Sequence, residues 1–176
     1  AKHNVSREDQ DLFAKRSHDN AEKAWEAGHH QKEVVPVEIE PDFKMIKKDN
    51  GIRSGTPIEK LTKLKPAFDK KYGTLTAANS SFLTDGSAVC LIMTESKAKE
   101  LGFTPKAEIV DYCFTGQRLE DELLLGPAYA MSKVLDQTKL SLNDIDVFEI
   151  HEAFAGQVLT NIKCLADDEF CKIELQ

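Results

Sequence analysis

Apolar positions along the chain follow two different rhythms. Leu12, Phe13, Ala21, Ala24 and Trp25 recur near helical spacing. Ser6 precedes them as an N-cap, and Glu8 and Asp9 occupy the first turn, where the helix dipole favours acids. Gly28 supplies a C-terminal stop. One long amphipathic helix is therefore predicted over residues 7–27. Val34 to Ile39 predicts a strand that Pro41 ends. Ile58, Leu61 and Leu64 mark a short helix closed by Pro66. Residues 73–86, GTLTAANSSFLTDG, are small, polar and glycine-bounded, which is loop chemistry.

From residue 87 the rhythm changes. Ser87 to Met93 holds the run AVCLIM. It fits a strand buried on both faces of a sheet, although periodicity alone leaves a helix open. Thr94 caps a helix that Gly102 ends. Ala107 to Phe114 predicts another strand, and Pro127 starts a helix running to about Gln137. Leu140 to Asp144 connects to a strand over Ile145 to Ile150, and a helix follows over Glu152 to Ala166. Strand and helix alternate three times, which argues for an α/β class with a mostly parallel sheet and flanking helices. The irregular, partly helical first half precedes it.

Composition narrows the function classes. The net charge of −7 argues against general nucleic-acid binding. The charge is uneven, however. Lys44 to Lys71 carries nine basic residues against three acids, leaving −13 for the remainder. Such a segment suits a small anionic ligand or an anionic surface; a plain solvated basic face is the alternative. Of four cysteines, Cys90 and Cys113 lie in apolar segments and read as core, and no Cys-x-x-Cys pair occurs. A reducing compartment fits this usage. No apolar run reaches the roughly 20 residues of a membrane helix.

Several familiar signatures fail. There is no GxGxxG, P-loop or GxSxG elbow. His151-Glu152 begins like a zinc-protease helix, but Ala155 stands where the second ligand would be. His29-His30 reads as solvated rather than metal-bound. No metal is expected.

Two segments are more specific: GTLTAANSSFLTDGSAVCLIM at 73–93 and IDVFEIHEAFAGQ at 145–157. SREDQDLFAKRSHDNAEKAWEAG at 6–28, RSGTP at 53–57 and KLKPAFDKKYGTLTA at 63–77 continue in register. Together they resemble the thiolase family over nearly the whole chain, weakening after about Ala166. The resemblance implies a partial thiolase-like α/β fold. Residues 1–86 would be the coenzyme A-binding loop domain, 87–105 the last strand and helix of the first half, and 106–176 the opening of the second. The motif HEAF, where NEAF is commoner, and the run LLLGPAYAMSKVL at 123–135 resemble a mitochondrial branch that acts on long-chain 3-ketoacyl substrates in fatty-acid β-oxidation.

The implied activity is cleavage of a 3-ketoacyl-CoA by free coenzyme A, giving acetyl-CoA and a shortened acyl-CoA. Coenzyme A enters as substrate, and no covalently bound cofactor is implied. His151 matches the residue that helps hold an oxyanion-hole water. Ser81 and Ala77 match contacts to pantetheine, where small side chains allow close backbone approach. Phe154 and Leu123 match substrate-pocket residues. Arg53 matches an arginine near the nucleotide, and Phe68 a residue of the adenine or pantetheine pocket. Arginine suits phosphate and purine stacking, and both positions fall in the basic segment. Ordinary explanations remain beside each: a capping histidine, core phenylalanines, a plain turn.

The chain departs from the family at the chemistry itself. A thiolase uses a nucleophilic cysteine in its N-terminal half, a Gly-His-Pro segment and a late Cys-x-Gly. No cysteine precedes the loop region, no histidine follows His151, and the residues two after the cysteines are Ile92, Thr115, Ala166 and Ile173. An internal piece of a thiolase, inactive alone, is therefore expected; a non-catalytic coenzyme A-binding or assembly module is the alternative. Implied partners are acyl-CoA, a second copy of the chain, an alpha-type subunit of a trifunctional complex and the mitochondrial inner-membrane surface.

Overall fold

The structure is a computed structural model that describes residues 2–120 and 122–175. The chain forms two compact units, Ala1–Phe82 with Ile150–Cys164, and Leu83–Glu149 with Leu165–Gln176.

The first unit is organised by α1, Arg7–Glu26. Ser6 and Asp9 make a reciprocal capping box, with Asp9 N–H donating to Ser6 Oγ at 3.0 Å and Ser6 N–H to the Asp9 carboxylate at 3.1 Å. Those bonds, the hydroxyl's first, hold the Asp9 carboxyl below its ordinary value. Gly28 ends the helix at φ +76°, with Gly28 N–H on Trp25 O and His29 N–H on Ala24 O. That is a Schellman stop, and it needs the left-handed conformation glycine adopts freely.

The inward face of α1 differs from the expected apolar stripe. Buried on it are Gln10, Asp11, Ala14 and Trp25, while Leu12 is half exposed. Arg7, Asp11, Ala14, His18, Ala21 and Trp25 share one face at i, i+3 and i+4 spacing. Half of that face is polar, so it must be hydrogen-bonded rather than merely packed. Asp11 accepts from Arg7 Nε at 2.8 Å and from Asn79 Nδ2 at 2.9 Å. Arg7 also reaches Leu61 O and Leu64 O, at 2.8 and 3.1 Å, and so secures α2, Ile58–Thr62.

Between these helices lies a small antiparallel hairpin. Its strands are β1, Val37–Ile39, and β2, Lys44–Ile46, paired Val37 to Ile46. The first strand agrees with the sequence pattern. The second was hidden inside the basic segment. Helix α5, Ala155–Leu165, starts three residues later than expected and buries Ala155, Val158, Asn161 and Cys164.

In the second unit, Thr94 caps α3, Glu95–Glu100, and Gly102 ends it at φ +73°. Helix α4, Gly126–Thr138, carries Pro127 in its first turn and buries Ala128. It receives Cys113 Sγ on Ala130 O at 3.1 Å, and Ser132 Oγ donates to Leu175 O at 3.0 Å. Helix α6, Asp168–Glu174, was not expected; Asp167 caps it through the N–H groups of Glu169 and Phe170.

The expected parallel ladder is absent among the described residues, whose one sheet is the hairpin. Segments 87–93, 107–114 and 145–150 keep their apolar sequence but have no strand beside them. Val89 is 99% exposed, Phe114 85% and Val147 79%. A strand exists only by pairing, and without a neighbour the pattern has nothing to register against. Cys90, read as core, is likewise exposed, whereas Cys164 is the buried cysteine.

Two stability outcomes follow for the first unit, both read from the urea midpoint of the fluorescence of Trp25, the single tryptophan. Asp11→Ala strands the Asn79 amide and the partly buried Arg7, and is expected to cost about 3 kcal/mol. A Cβ on Gly51 would lie 1.6 Å from Phe82 Cζ. Gly51→Ala is expected to cost roughly 1–2 kcal/mol, most of it restored in the double variant with Phe82→Ala.

Candidate functional site

The loop 74–82 is the hub of the site. Asn79 is buried, and its side-chain oxygen accepts from Thr76 N–H at 2.7 Å. Its amide donates to Asp11 and, at 3.1 Å, to Thr74 O. Thr76 Oγ1 in turn accepts from Ala78 N–H at 3.2 Å. Both polar groups of the Asn79 side chain are thus committed to holding the loop in one shape.

The same loop grips the turn that begins α5. Ser81 N–H donates to Ala153 O at 2.8 Å, Ala155 N–H donates to Asn79 O at 3.0 Å, and Ser80 faces Phe154 across an antiparallel bridge. The first N–H of α5, which lacks a partner inside the helix, is satisfied by the loop carbonyl. Phe154 is therefore fixed relative to Ser80 and Ser81 by backbone pairing, and His151 lies two residues before the paired segment. Phe68 meets Phe154 edge to face, with centroids 6.3 Å apart and planes at 73°. Phe68 is 71% exposed, so its outer face is open. Ser81 is exposed as well, and its hydroxyl makes only a 3.5 Å contact to Phe82 O.

Arg53 belongs to the same unit. Its backbone N–H donates to His18 Nδ1 at 3.3 Å, and Gly55 N–H donates to Asp19 Oδ1 at 3.0 Å. The exposed guanidinium rests on Asn50 O and Ile52 O. Gly51 lies beneath the Phe82 ring, which joins this turn to the hub loop. Burial, and secondarily the Arg53 charge, push His18 below its ordinary value, with Asp19 and Glu152 acting against them.

A cavity of about 120 Å³ opens among Ser17, His18, Ser80, Ser81, Phe82 and Glu152. Ser17 Oγ donates to the Glu152 carboxylate, beside His151. Ser80 Oγ is buried without a hydrogen-bond partner.

Six of the seven expected site residues, Arg53, Phe68, Ala77, Ser81, His151 and Phe154, thus share the first unit. Leu123 lies in the second, on the 3₁₀ turn Leu123–Leu125. Sequence reasoning missed Asp11, Ser17, His18, Asn79 and Glu152. For Asp11 and His18 the signal was the 3–4 spacing of polar residues along α1, which is ordinarily read as a solvated face.

The thiolase N-terminal domain family matches residues 1–96, and the thiolase C-terminal domain family matches residues 103–174. A probable 3-ketoacyl-CoA thiolase of Caenorhabditis elegans is 53% identical over 174 residues, 98% of this chain and 38% of that protein. The mitochondrial trifunctional enzyme subunit beta of Rattus norvegicus is 51% identical over 168 residues, 96% of this chain and 35% of its own length. In three dimensions the chain resembles the Bacillus anthracis acetyl-CoA acetyltransferase crystal structure, with a TM-score of 0.87 and 43% identity over 96% of this chain and 43% of that one. The chain therefore spans about two-fifths of the length of the relatives it matches, and its fold is a partial thiolase-like α/β fold. Matched in register by both family domains and by relatives at about half identity, the chain belongs to the thiolase family.

Proposed function

We propose that this chain forms the coenzyme A-binding part of a 3-ketoacyl-CoA thiolase, the acyltransferase that cleaves 3-ketoacyl-CoA with coenzyme A in fatty-acid β-oxidation. The carrying observation is the backbone pairing of Asn79, Ser80 and Ser81 with Ala153, Phe154 and Ala155, which supports a site shared by Ser81, Phe154 and His151, two residues before the paired segment. Phe68 joins this pairing through its ring contact with Phe154, and structural economy alone does not require Ser81, His151 and Phe68 to be exposed around it.

Each residue has a task suited to its chemistry. The Phe68 and Phe154 rings offer an apolar wall to the pantetheine arm, and the exposed Ser81 hydroxyl hydrogen-bonds its amides. Ala77, without bulk, lets the arm approach the backbone. Arg53 binds phosphate or stacks on the purine, within a segment carrying +6. His151 stands on the frame as the holder of a water that donates to a developing oxyanion. Leu123, a substrate-pocket residue by the resemblance, belongs to the second unit.

The covalent step is a separate matter. A thiolate must attack the keto carbon, and none of the four cysteines belongs to the 74–82 frame or to the 151–155 turn. The 176 residues bind coenzyme A in this reading but do not turn it over. Residues 1–86 act as the coenzyme A-binding loop domain, 87–105 close the first thiolase half, and 106–176 open the second. Relatives named as mitochondrial trifunctional enzyme beta subunits support a mitochondrial site of action, and long-chain substrates follow from the resemblance of the HEAF motif. A second copy, an alpha-type subunit and the inner-membrane surface are the partners that the family resemblance implies. Coenzyme A is substrate here, with no covalently held cofactor and no metal in any role.

Calorimetry with coenzyme A tests the binding half. Arg53→Ala is expected to weaken affinity about tenfold, near 1.4 kcal/mol, with a salt dependence shallower than that of the unaltered chain. Affinity unchanged in that variant would remove Arg53 from the site. Incubating the chain with a long-chain 3-ketoacyl-CoA and coenzyme A is expected to give no thiolysis. Clear turnover would mean that one of Cys90, Cys113, Cys164 or Cys171 is a nucleophile.

A further inference from the structure

We propose that His18 and Asp19 of α1 are positioning residues, a two-point clamp on the 53–55 turn that holds Arg53 ready for an anionic nucleotide and releases it on acidification. The proposal deepens the coenzyme A reading and rests on it for the identity of the ligand.

The clamp is built from two backbone N–H groups and two successive side chains. Arg53 N–H donates to His18 Nδ1 and Gly55 N–H donates to Asp19 Oδ1. Within the turn, Thr56 Oγ1 donates to Arg53 O at 2.9 Å, and Gly55 sits at φ +68°. The turn lies outside any strand or helix, and beyond its own internal bonds it is tied to α1 by these two bonds and to the hub loop by Gly51 beneath Phe82. A long side chain such as arginine aims at a phosphate only as well as its own Cα is fixed. The clamp fixes that Cα through the backbone N–H groups of Arg53 and Gly55.

The two arms answer differently to pH. A ring nitrogen accepts a hydrogen bond only while it carries no proton. Protonated His18 would present an N–H to the Arg53 N–H, with a positive charge beside the guanidinium. The groups facing His18 are Arg53 of the turn, Glu152 of the turn before α5 and its own neighbour Asp19. Burial and Arg53 favour the neutral ring, and the two carboxylates oppose them. With the folded value below the ordinary 6.5, the neutral-ring contribution is complete above 6.5 and is lost as pH falls through the lowered value. Asp19, held low first by Lys15 and then by the Gly55 N–H, stays ionised throughout that range. Acidification therefore opens the His18 arm alone.

Two readouts on the full chain separate the clamp from its ligand. The first is the hydrogen-exchange protection of the Arg53 amide, corrected for intrinsic pH dependence. It is expected to fall roughly three- to tenfold as the pH is lowered from about 7.5, past the ordinary histidine range, to about 4.5. His18→Ala should lower it at both values. His18→Gln keeps an acceptor that does not titrate, and should keep protection at both. The second readout is coenzyme A affinity in the same three proteins, expected to follow protection in direction and to lose its pH response in His18→Gln. Wild-type protection in His18→Ala, or a wild-type pH response in His18→Gln, overturns the clamp. Lost protection with unchanged affinity overturns its role toward the ligand. A protection pattern as expected, with coenzyme A bound by none of the three, leaves the clamp standing and removes the coenzyme A reading instead.

Discussion

The first unit depends on a buried carboxylate that is fully engaged. Asp11 lies on the inward face of α1, with Arg7 on one side and the Asn79 amide on the other. A charge taken out of water is costly unless its oxygens are satisfied, and removing one partner costs more than the pair contributes. The rest follows in sequence from that constraint. Asn79 must turn inward to meet Asp11, so its carbonyl faces the first N–H of α5 and its side-chain oxygen faces Thr76 N–H. The loop shape, the anchoring of α5 and the position of Ser81 are consequences of one polar contact. An apolar pair at 11 and 79 would pack, but it would not define where the loop carbonyls point, and it is the carbonyl directions that set the frame.

Helix α1 serves as a common ruler for this unit. Arg7 reads the end of α2, Asp11 the hub loop, Ser17 the turn before α5, and His18 and Asp19 the arginine turn. Residues on a helix keep fixed spacing along the axis, 1.5 Å per residue, so segments that touch it inherit fixed separations from one another. That explains how short segments with almost no regular structure converge in register. It also explains the need for firm ends, a capping box at Ser6 and a Schellman stop at Gly28. Fraying at either end would shift every contact measured along it.

What was legible in the sequence was local. Ser6, Thr94, Pro127, Gly28 and Gly102 marked helix ends because caps and stops act within one turn of chain. The proposed site positions came from family motifs alone, and six of the seven lie in one unit. The inward face of α1 was not legible, because Asp11 and His18 look like solvent-facing residues until their partners, 68 and 35 residues away, are known. Helix α6 was missed because the sequence after Ala166 is short and weakly patterned, although Asp167 is a sound cap.

The strand-like segments of the second unit illustrate the opposite failure. AVCLIM at 88–93 has the apolar content of a strand buried on both faces, and the composition was read correctly. A helix satisfies its backbone from within the segment, so local sequence suffices to predict it. A strand satisfies its backbone only from a neighbour, so composition fixes the capacity to pair and nothing more. Here Val89, Leu91 and Ile92 stand exposed, each forgoing roughly 1.5–3 kcal/mol of burial. The contrast within a single chain is instructive. Where polar contacts reach across the sequence, as from Asp11 to Asn79, irregular segments hold one geometry. Where only apolar content is present and no ladder accompanies it, the segment has a preference without a position. The candidate site lies on the side of that divide where hydrogen bonds, not hydrophobicity, determine the coordinates.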